Sequence, residues 1–157
     1  MSFSSGYSYV EASPVALHQI TPRLLAGPGV SYRYIKTTEV NYYTNQYEQI
    51  KYHAFGPRLV ANFTIFQNIS DYIPINIGNI IAYTEYEVLN INKYYYIANG
   101  DIVNGGRGWI NNWLIGGGIY QPVGERGGGF FILLLYDVTQ NNYSPYSNPS
   151  LRIGFYF

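Results

Sequence analysis

The chain has 157 residues, no cysteine, and nine basic against nine acidic side chains, which gives a formal net charge of zero. The lack of cysteine excludes a disulfide scaffold, a thiolate metal site and a cysteine nucleophile. The balanced charge lacks the basic excess of a nucleic-acid-binding domain. Charged residues make up only 11% of the chain, against roughly 25% in ordinary soluble domains, whereas tyrosine (19) and glycine (17) are abundant. The length predicts a single domain over residues 1–157.

Apolar residues are not gathered in long runs. The longest run, Phe130 to Tyr136, has seven residues and is far short of the ~20 that a transmembrane helix needs. Glycine and proline fall every few residues, and the β-formers Tyr, Ile, Val, Phe and Thr fill the intervals. This composition predicts an all-β chain.

Segments in which apolar and polar residues alternate follow one another along the chain. In the long segment around 55–65, for example, Phe55, Leu59 and Phe63 share one face, and Arg58 and Asn62 share the other. Alternation with a period of two predicts strands that have one apolar and one polar face. The seven segments are 7–17, 24–36, the long strand around 55–65, 80–90, 109–120, 130–138 and 151–157, and residues 2–5 supply the end of an eighth.

The connections between these segments alternate in length. They are short at 20–22, 67–74 and 121–129, and long at 37–46, 91–108 and 139–148. Short turns at one end and long loops at the other, joined by strands of about 9 to 11 residues, are typical of a transmembrane β-barrel. Because such barrels have an even strand number with a minimum of eight, we expect a membrane-spanning, antiparallel, up-and-down barrel of eight strands, the first short or truncated.

The charged residues of the predicted strands fall on the polar faces. Glu85 and Glu87 share a face and could act as paired carboxylates. A structural role is favoured, because a turn near residues 70–72 makes facing positions sum to about 143, which puts Arg58 opposite Glu85, and opposite charges facing inward satisfy each other. The predicted network in the lumen comprises Glu11, Arg33, Arg58, Glu85, Glu87 and Arg152.

His18 and His53 are the only histidines. A membrane-embedded acyl hydrolase or acyltransferase would need a histidine beside a serine. The two histidines are predicted at opposite ends of the barrel, so they cannot share one site. We therefore expect a protein that is not an enzyme and has no cofactor or metal, and keep a lipid-modifying enzyme as an alternative.

Tyrosines gather in or beside the long loops. Aromatic girdles at the membrane interface account for some of them, and the others could form a recognition surface, because tyrosine anchors binding sites at low entropic cost. The candidate partner surface comprises Tyr42, Tyr43, Tyr94, Tyr95, Tyr96, Tyr143 and Tyr146.

Several motifs suggest a family. The most specific are Gly116–Gly124 and Ser144–Pro149, the latter followed by Arg152–Phe157; weaker ones are Val10–Pro14, Thr21–Leu24, Val30–Tyr34 and Tyr83–Glu87. In these motifs the chain resembles the small outer-membrane β-barrel proteins of the Bacteroidota. The resemblance implies an eight-stranded barrel, mostly of unassigned function, and supplies no catalytic residues. The end of the chain, with Phe155 and Phe157, resembles the signal read by the outer-membrane insertion machinery.

These observations lead to one expected function. An eight-stranded barrel has room inside only for side chains, so we expect a pore-less barrel of the bacterial outer membrane that serves as a structural or accessory subunit of a larger complex. Its long loops would be extracellular, and its short turns and C-terminus periplasmic. The expected partners are outer-membrane lipid and other outer-membrane proteins, and no nucleic acid. A soluble ligand-binding barrel of the lipocalin kind is a further alternative.

Overall fold

The computed structural model describes residues 2–4, 7–40, 47–68, 78–96, 102–123, 128–140, 144–146 and 148–156. Their regular structure is entirely β, as the composition predicts. The strands are β1 (Ser2–Ser4), β2 (Tyr7–Ala12), β3 (His18–Thr21), β4 (Leu24–Val40), β5 (Tyr47–Phe66), β6 (Asn79–Tyr96), β7 (Ile102–Pro122), β8 (Gly129–Asp137) and β9 (Ser150–Tyr156). In these residues no helix is long and apolar enough to cross a membrane.

The strands form one antiparallel sheet in the order β1-β2-β4-β5-β6-β7-β8-β9. Both β2 and β3 pair with β4, and an isolated bridge between Val15 and Gly29 lies between the two ladders. The two segments therefore form one interrupted strand, and the sheet is eight strands wide, which confirms the predicted strand number. Among the described residues, β1 pairs only with β2 and β9 only with β8.

The sheet is curled into a half-barrel. Arg152 on β9 places its Nη1 atom 2.5 Å from Glu85 Oε2 on β6, although β7 and β8 lie between these strands. Glycines on the inner face permit this curvature. A Cβ atom added to Gly56 would lie 1.8 Å from the Val88 carbonyl oxygen, and one added to Gly118 would lie 1.9 Å from that of Ile132. Only glycine allows neighbouring backbone to approach so closely.

Two of the predicted long loops are wrong in extent. Residues 37–40 continue β4 and pair with 47–50 of β5. Residues 91–96 continue β6 and pair with β7, which begins at Ile102 rather than at the predicted Trp109. The backbone ladder continues there although the apolar alternation fades, so the pattern underestimates the strand length. The four central strands have 17 to 21 residues.

The outer face of the sheet is apolar and exposed, and the inner face buries charged as well as apolar side chains. Along β8, Phe131, Leu133 and Leu135 are buried and Leu134 is 56% exposed. On the outer face large apolar side chains such as Leu59 are well exposed, while on the inner face charged side chains are fully buried. In a soluble domain the exposed face is ordinarily polar, and charged side chains are seldom fully buried.

Apolar side chains fill the interior on two sides of the charged residues. One cluster contains Val60, Ile81, Tyr83, Leu114, Phe131, Leu133 and Leu135, with Val15, Leu17, Tyr120 and Tyr146 packed against it. The other contains Ala54, Leu89, Ile91 and Ile110, with Tyr52 packed against it. The second cluster lies toward the long β4–β5 and β6–β7 hairpin ends.

Candidate functional site

The six charged residues predicted for the lumen lie together inside the curled sheet. Arg33 and Glu87 are both fully buried and form a bidentate pair: Nη1 donates to Oε1 at 2.9 Å and Nη2 to Oε2 at 2.7 Å. Glu87 also accepts hydrogen bonds from Asn112 Nδ2 at 3.0 Å and from the Ser31 hydroxyl at 3.4 Å. The carboxylate therefore has donors on both oxygens.

Glu85 is held by two arginines. Arg152 Nη1 donates to it at 2.5 Å and Arg58 Nη1 at 3.3 Å. The hydroxyl of Tyr83, which shares the inner face, donates to the same carboxylate. Glu85 is fully buried, so these donors replace the hydration that the carboxylate loses.

The register predicted for Arg58 is wrong by two positions. Its backbone partner is Glu87, and Glu85 faces Val60, so facing positions sum to 145 rather than 143. The ladder shifts between Thr64 and Phe66, where β5 carries an extra residue. The bulge changes this sum by only one, from 146 for Phe66 and Ile80 to 145 for the pairs beyond it. The difference from 143 therefore comes from the position predicted for the turn. The Arg58 side chain nevertheless reaches Glu85 on the diagonal.

Glu11 completes the cluster. Its Oε1 atom lies 3.6 Å from both Arg33 Nη2 and Arg58 Nη1, and it accepts a hydrogen bond from the Ser13 hydroxyl. Arg58 Nη2 in turn donates to the Ser13 carbonyl oxygen at 2.6 Å. Three carboxylates thus face three guanidinium groups, and the cluster is neutral as a whole.

Tyr146 lies in this cluster and not on the predicted partner surface. Its hydroxyl accepts hydrogen bonds from Arg33 and from Arg152 Nη2, the latter at 3.3 Å. The Arg33 guanidinium also stacks on its ring, 4.5 Å from the centroid. These contacts stabilise the inward position of the side chain, because a hydroxyl oxygen and an aromatic face both attract guanidinium groups.

Asp137 fixes the chain segment that brings Tyr146 inward. This buried carboxylate accepts hydrogen bonds from the hydroxyls of Thr139 and Ser144, at 2.5 and 2.6 Å. The Asn148 side chain bonds the backbone N–H and C=O of Asp137. Sequence reasoning did not select Asp137, although its position at the end of an alternating strand places it on the inner face.

The two histidines lie far apart. His18 pairs with Ala26 and His53 with Tyr34, eight positions further along β4. His53 is on the outer face, where its Nδ1 atom is hydrogen-bonded to the Tyr32 hydroxyl at 2.8 Å. The arrangement brings together no pair of histidines that could act in one reaction.

Most of the candidate partner surface is not described. Tyr42, Tyr43, Tyr143 and Phe157 lie outside the described residues, and for Tyr94, Tyr95 and Tyr96 the structure describes only the backbone, which belongs to β6. Phe155, at the other end of the sheet, is exposed on the outer face of β9, with its ring centroid 5.3 Å from that of Phe130.

The six charged side chains of the interior cluster form ion pairs with one another. Each carboxylate of Glu11, Glu85 and Glu87 is paired with a guanidinium group. Within the described ranges, no three His, Cys, Asp or Glu side chains are grouped so that they could hold a metal ion.

Comparisons of the chain with protein-family models, with curated proteins and with solved structures find no match. The resemblance to the Bacteroidota barrels therefore stays a prediction that depends on the motifs alone.

Proposed function

We propose that the protein is a pore-less β-barrel of the bacterial outer membrane that acts as a structural or accessory subunit of a larger complex. The observation that carries the proposal is the exposed apolar outer face of a sheet that buries charged side chains inside. Trp109, Leu59 and Leu134 are more than half exposed on the outside, while Arg33, Glu85 and Glu87 are fully buried inside. Lipid solvates an apolar outer face, whereas water does not.

The height of the apolar outer face supports the same proposal. Phe55, Leu59, Phe63 and Ile65 are exposed along β5. Phe55 and Ile65 are ten residues apart, which at about 3.3 Å per residue and a strand tilt of about 40° corresponds to a height of about 25 Å. This is the height of the apolar band of outer-membrane barrels.

Two polar side chains on this face, Trp113 and Thr84, form their hydrogen bonds within the protein. Trp113 Nε1 donates to the Thr84 hydroxyl at 2.9 Å, and that hydroxyl donates to the Leu114 carbonyl oxygen at 3.3 Å. A lipid-facing surface requires such internal pairing because hydrocarbon offers no hydrogen-bonding partner. On a surface that faces water, the same internal hydrogen bonds would add little stability, because water could replace them.

The filled interior supports a role without transport. Ion pairs occupy the centre of the curled sheet, and apolar clusters pack on both sides of them. Eight strands enclose only enough space for side chains. A function in the loops and on the outer face is therefore favoured, with lipid and other outer-membrane proteins as partners.

The location is tested by refolding the chain into detergent and comparing heated and unheated samples on a denaturing gel. We expect heat-modifiable migration of the folded barrel. Incorporated into planar bilayers, the protein should give no steady conductance. A chain that stays monomeric and folded in buffer without detergent would refute the membrane location and favour the lipocalin alternative.

The subunit role is tested by affinity purification from native membranes. A partner should co-purify in a fixed molar ratio with the parent chain, and should be lost when Tyr94, Tyr95 and Tyr96 are changed to serine. Changing Tyr136, on the outer face of β8, to phenylalanine provides a control. Lipid turnover that disappears with His53→Ala or His18→Ala would instead favour the enzyme alternative.

A further inference from the structure

The outer face changes its chemistry at one level of the sheet. A row of facing residues that includes Phe55 and Trp109 bounds the apolar face. Beyond it, toward the long hairpin ends, Tyr34 faces His53, and in the following row Lys36 faces Lys51. We call Trp109 in the bounding row and the basic and aromatic residues of the two rows beyond it the basic-aromatic collar. The collar comprises Tyr34, Lys36, Lys51, His53, Arg107 and Trp109.

Arg107 is the residue that ties the collar together. It lies on β7, directly beyond a bulge at which Gly106 has a φ of +81°. Its Nη2 atom donates to the His53 carbonyl oxygen on β5 at 3.3 Å, and its guanidinium lies 4.8 Å from the centroid of the Phe55 ring. The side chain thus spans β6 and remains exposed. It lies at the border of the apolar face that is nearer the long hairpin ends.

The charges of the described side chains are sorted between the two faces. All four described carboxylates, Glu11, Glu85, Glu87 and Asp137, lie on the inner face. The outer face at the collar carries Lys36, Lys51 and Arg107. The described part of the outer surface is therefore electropositive at this level.

We propose that the basic-aromatic collar binds the phosphate groups of anionic lipid headgroups, an inference that rests on the proposed membrane location. Aromatic side chains mark the depth of the membrane interface, and headgroup phosphates lie just outside it, where the cations of the collar are. The planar guanidinium of Arg107 can donate two parallel hydrogen bonds to one phosphate.

The two lysines extend the site along the sheet. Lys36 and Lys51 face each other across the β4–β5 ladder, which places two ammonium groups on one row of the outer face. A headgroup phosphate in front of this row can accept hydrogen bonds from both. A zwitterionic headgroup carries its own cation beside the phosphate, which the basic side chains repel, so the collar selects anionic over zwitterionic lipid.

The test uses Trp109, which is itself part of the collar. Trp113→Phe leaves Trp109 as the single tryptophan, because the chain has two. This variant is folded into vesicles that contain acyl-brominated phosphatidylglycerol or acyl-brominated phosphatidylcholine. Quenching of Trp109 should show a roughly three- to ten-fold preference for the anionic lipid, and salt should weaken it.

Neutral substitutions locate the site. Arg107→Gln alone should reduce the preference, and Lys36→Gln, Lys51→Gln and Arg107→Gln together should abolish it. Arg23→Gln is the matched control, since it removes one exposed positive charge at the opposite end of the sheet, in the turn before β4. It should leave the preference unchanged.

Three outcomes would overturn the proposal. Equal quenching by both lipids in the parent would exclude headgroup selection, and an unchanged preference in Arg107→Gln would exclude the collar as its source. An equal loss of lipid preference in Arg23→Gln would show that the preference depends on the net charge of the protein and not on the collar. Absence of quenching by either lipid, with no heat-modifiable band, would refute the membrane location itself.

Discussion

Arg33 and Glu87 form a bidentate ion pair across an intervening strand. Arg33 lies on β4 and Glu87 on β6, and their two hydrogen bonds of 2.9 and 2.7 Å pass over the inner face of β5. Both side chains are fully buried. The two charges can therefore pair only because the curvature of the sheet brings β4 and β6 close together on the inner face.

We expect Arg33→Met to destabilise the protein strongly. The substitution leaves the buried Glu87 carboxylate with only the neutral donors Asn112 and Ser31, and loss of one partner from a buried pair costs about 3–5 kcal/mol. Removing both charges with Arg33→Met and Glu87→Met together should cost less than the sum of the single changes. Urea unfolding followed by tryptophan fluorescence measures both. A single-variant cost below about 1 kcal/mol would show that the pair is hydrated.

The two arginines around Glu85 should contribute unequally. Arg152 lies 2.5 Å from its carboxylate and Arg58 3.3 Å. After Arg58→Met, Glu85 keeps the shorter ion pair and the Tyr83 hydroxyl, so we expect a loss of about 1–3 kcal/mol. Arg152→Met should cost more. The same urea titration ranks the two variants, and the reverse order would contradict the observed geometry.

Adjacent glycines on β7 provide a test of the curvature. A Cβ atom at Gly118 would lie 1.9 Å from the Ile132 carbonyl oxygen, whereas one at Gly117, on the opposite face, would lie 2.8 Å from that of Ile81. We expect Gly118→Ala to prevent folding and Gly117→Ala to be the milder change, because backbone cannot yield by an ångström or more without breaking the ladder. Heat-modifiable migration reports folding of each variant. Equal behaviour of the two would refute the proposed close approach.

Thr84→Val tests whether the outer face meets lipid. It removes the acceptor of Trp113 Nε1, which in hydrocarbon costs about 1–2 kcal/mol because no water replaces it. In a Trp113→Phe background the same change should be nearly neutral. The difference between the two backgrounds, measured by unfolding from vesicles, should vanish if water covers this face.

Period-two alternation predicts which face each strand residue occupies. It places Arg33, Glu85 and Glu87 inside because every second side chain points the same way. It does not predict the register, since alternation fixes neither the pairing at the β5–β6 turn, where Phe66 faces Ile80, nor the one-residue shift at the bulge between Thr64 and Phe66. Nor does it place Tyr146, which lies in a connection without periodicity and is carried inward by the hydrogen bonds of Asp137.

The extended central strands continue for different lengths beyond the collar. Beyond the row of Tyr34 and His53, β4 continues for six residues to Val40, and beyond Arg107 the β6–β7 ladder continues as far as Tyr96. At about 3.3 Å per residue these extensions measure about 20 Å and about 13 Å along the strands. Among the described strands, the β4–β5 ladder therefore extends about 7 Å further than the β6–β7 ladder. In the proposed outer-membrane location, this β4–β5 arm would place the described backbone furthest from the bilayer.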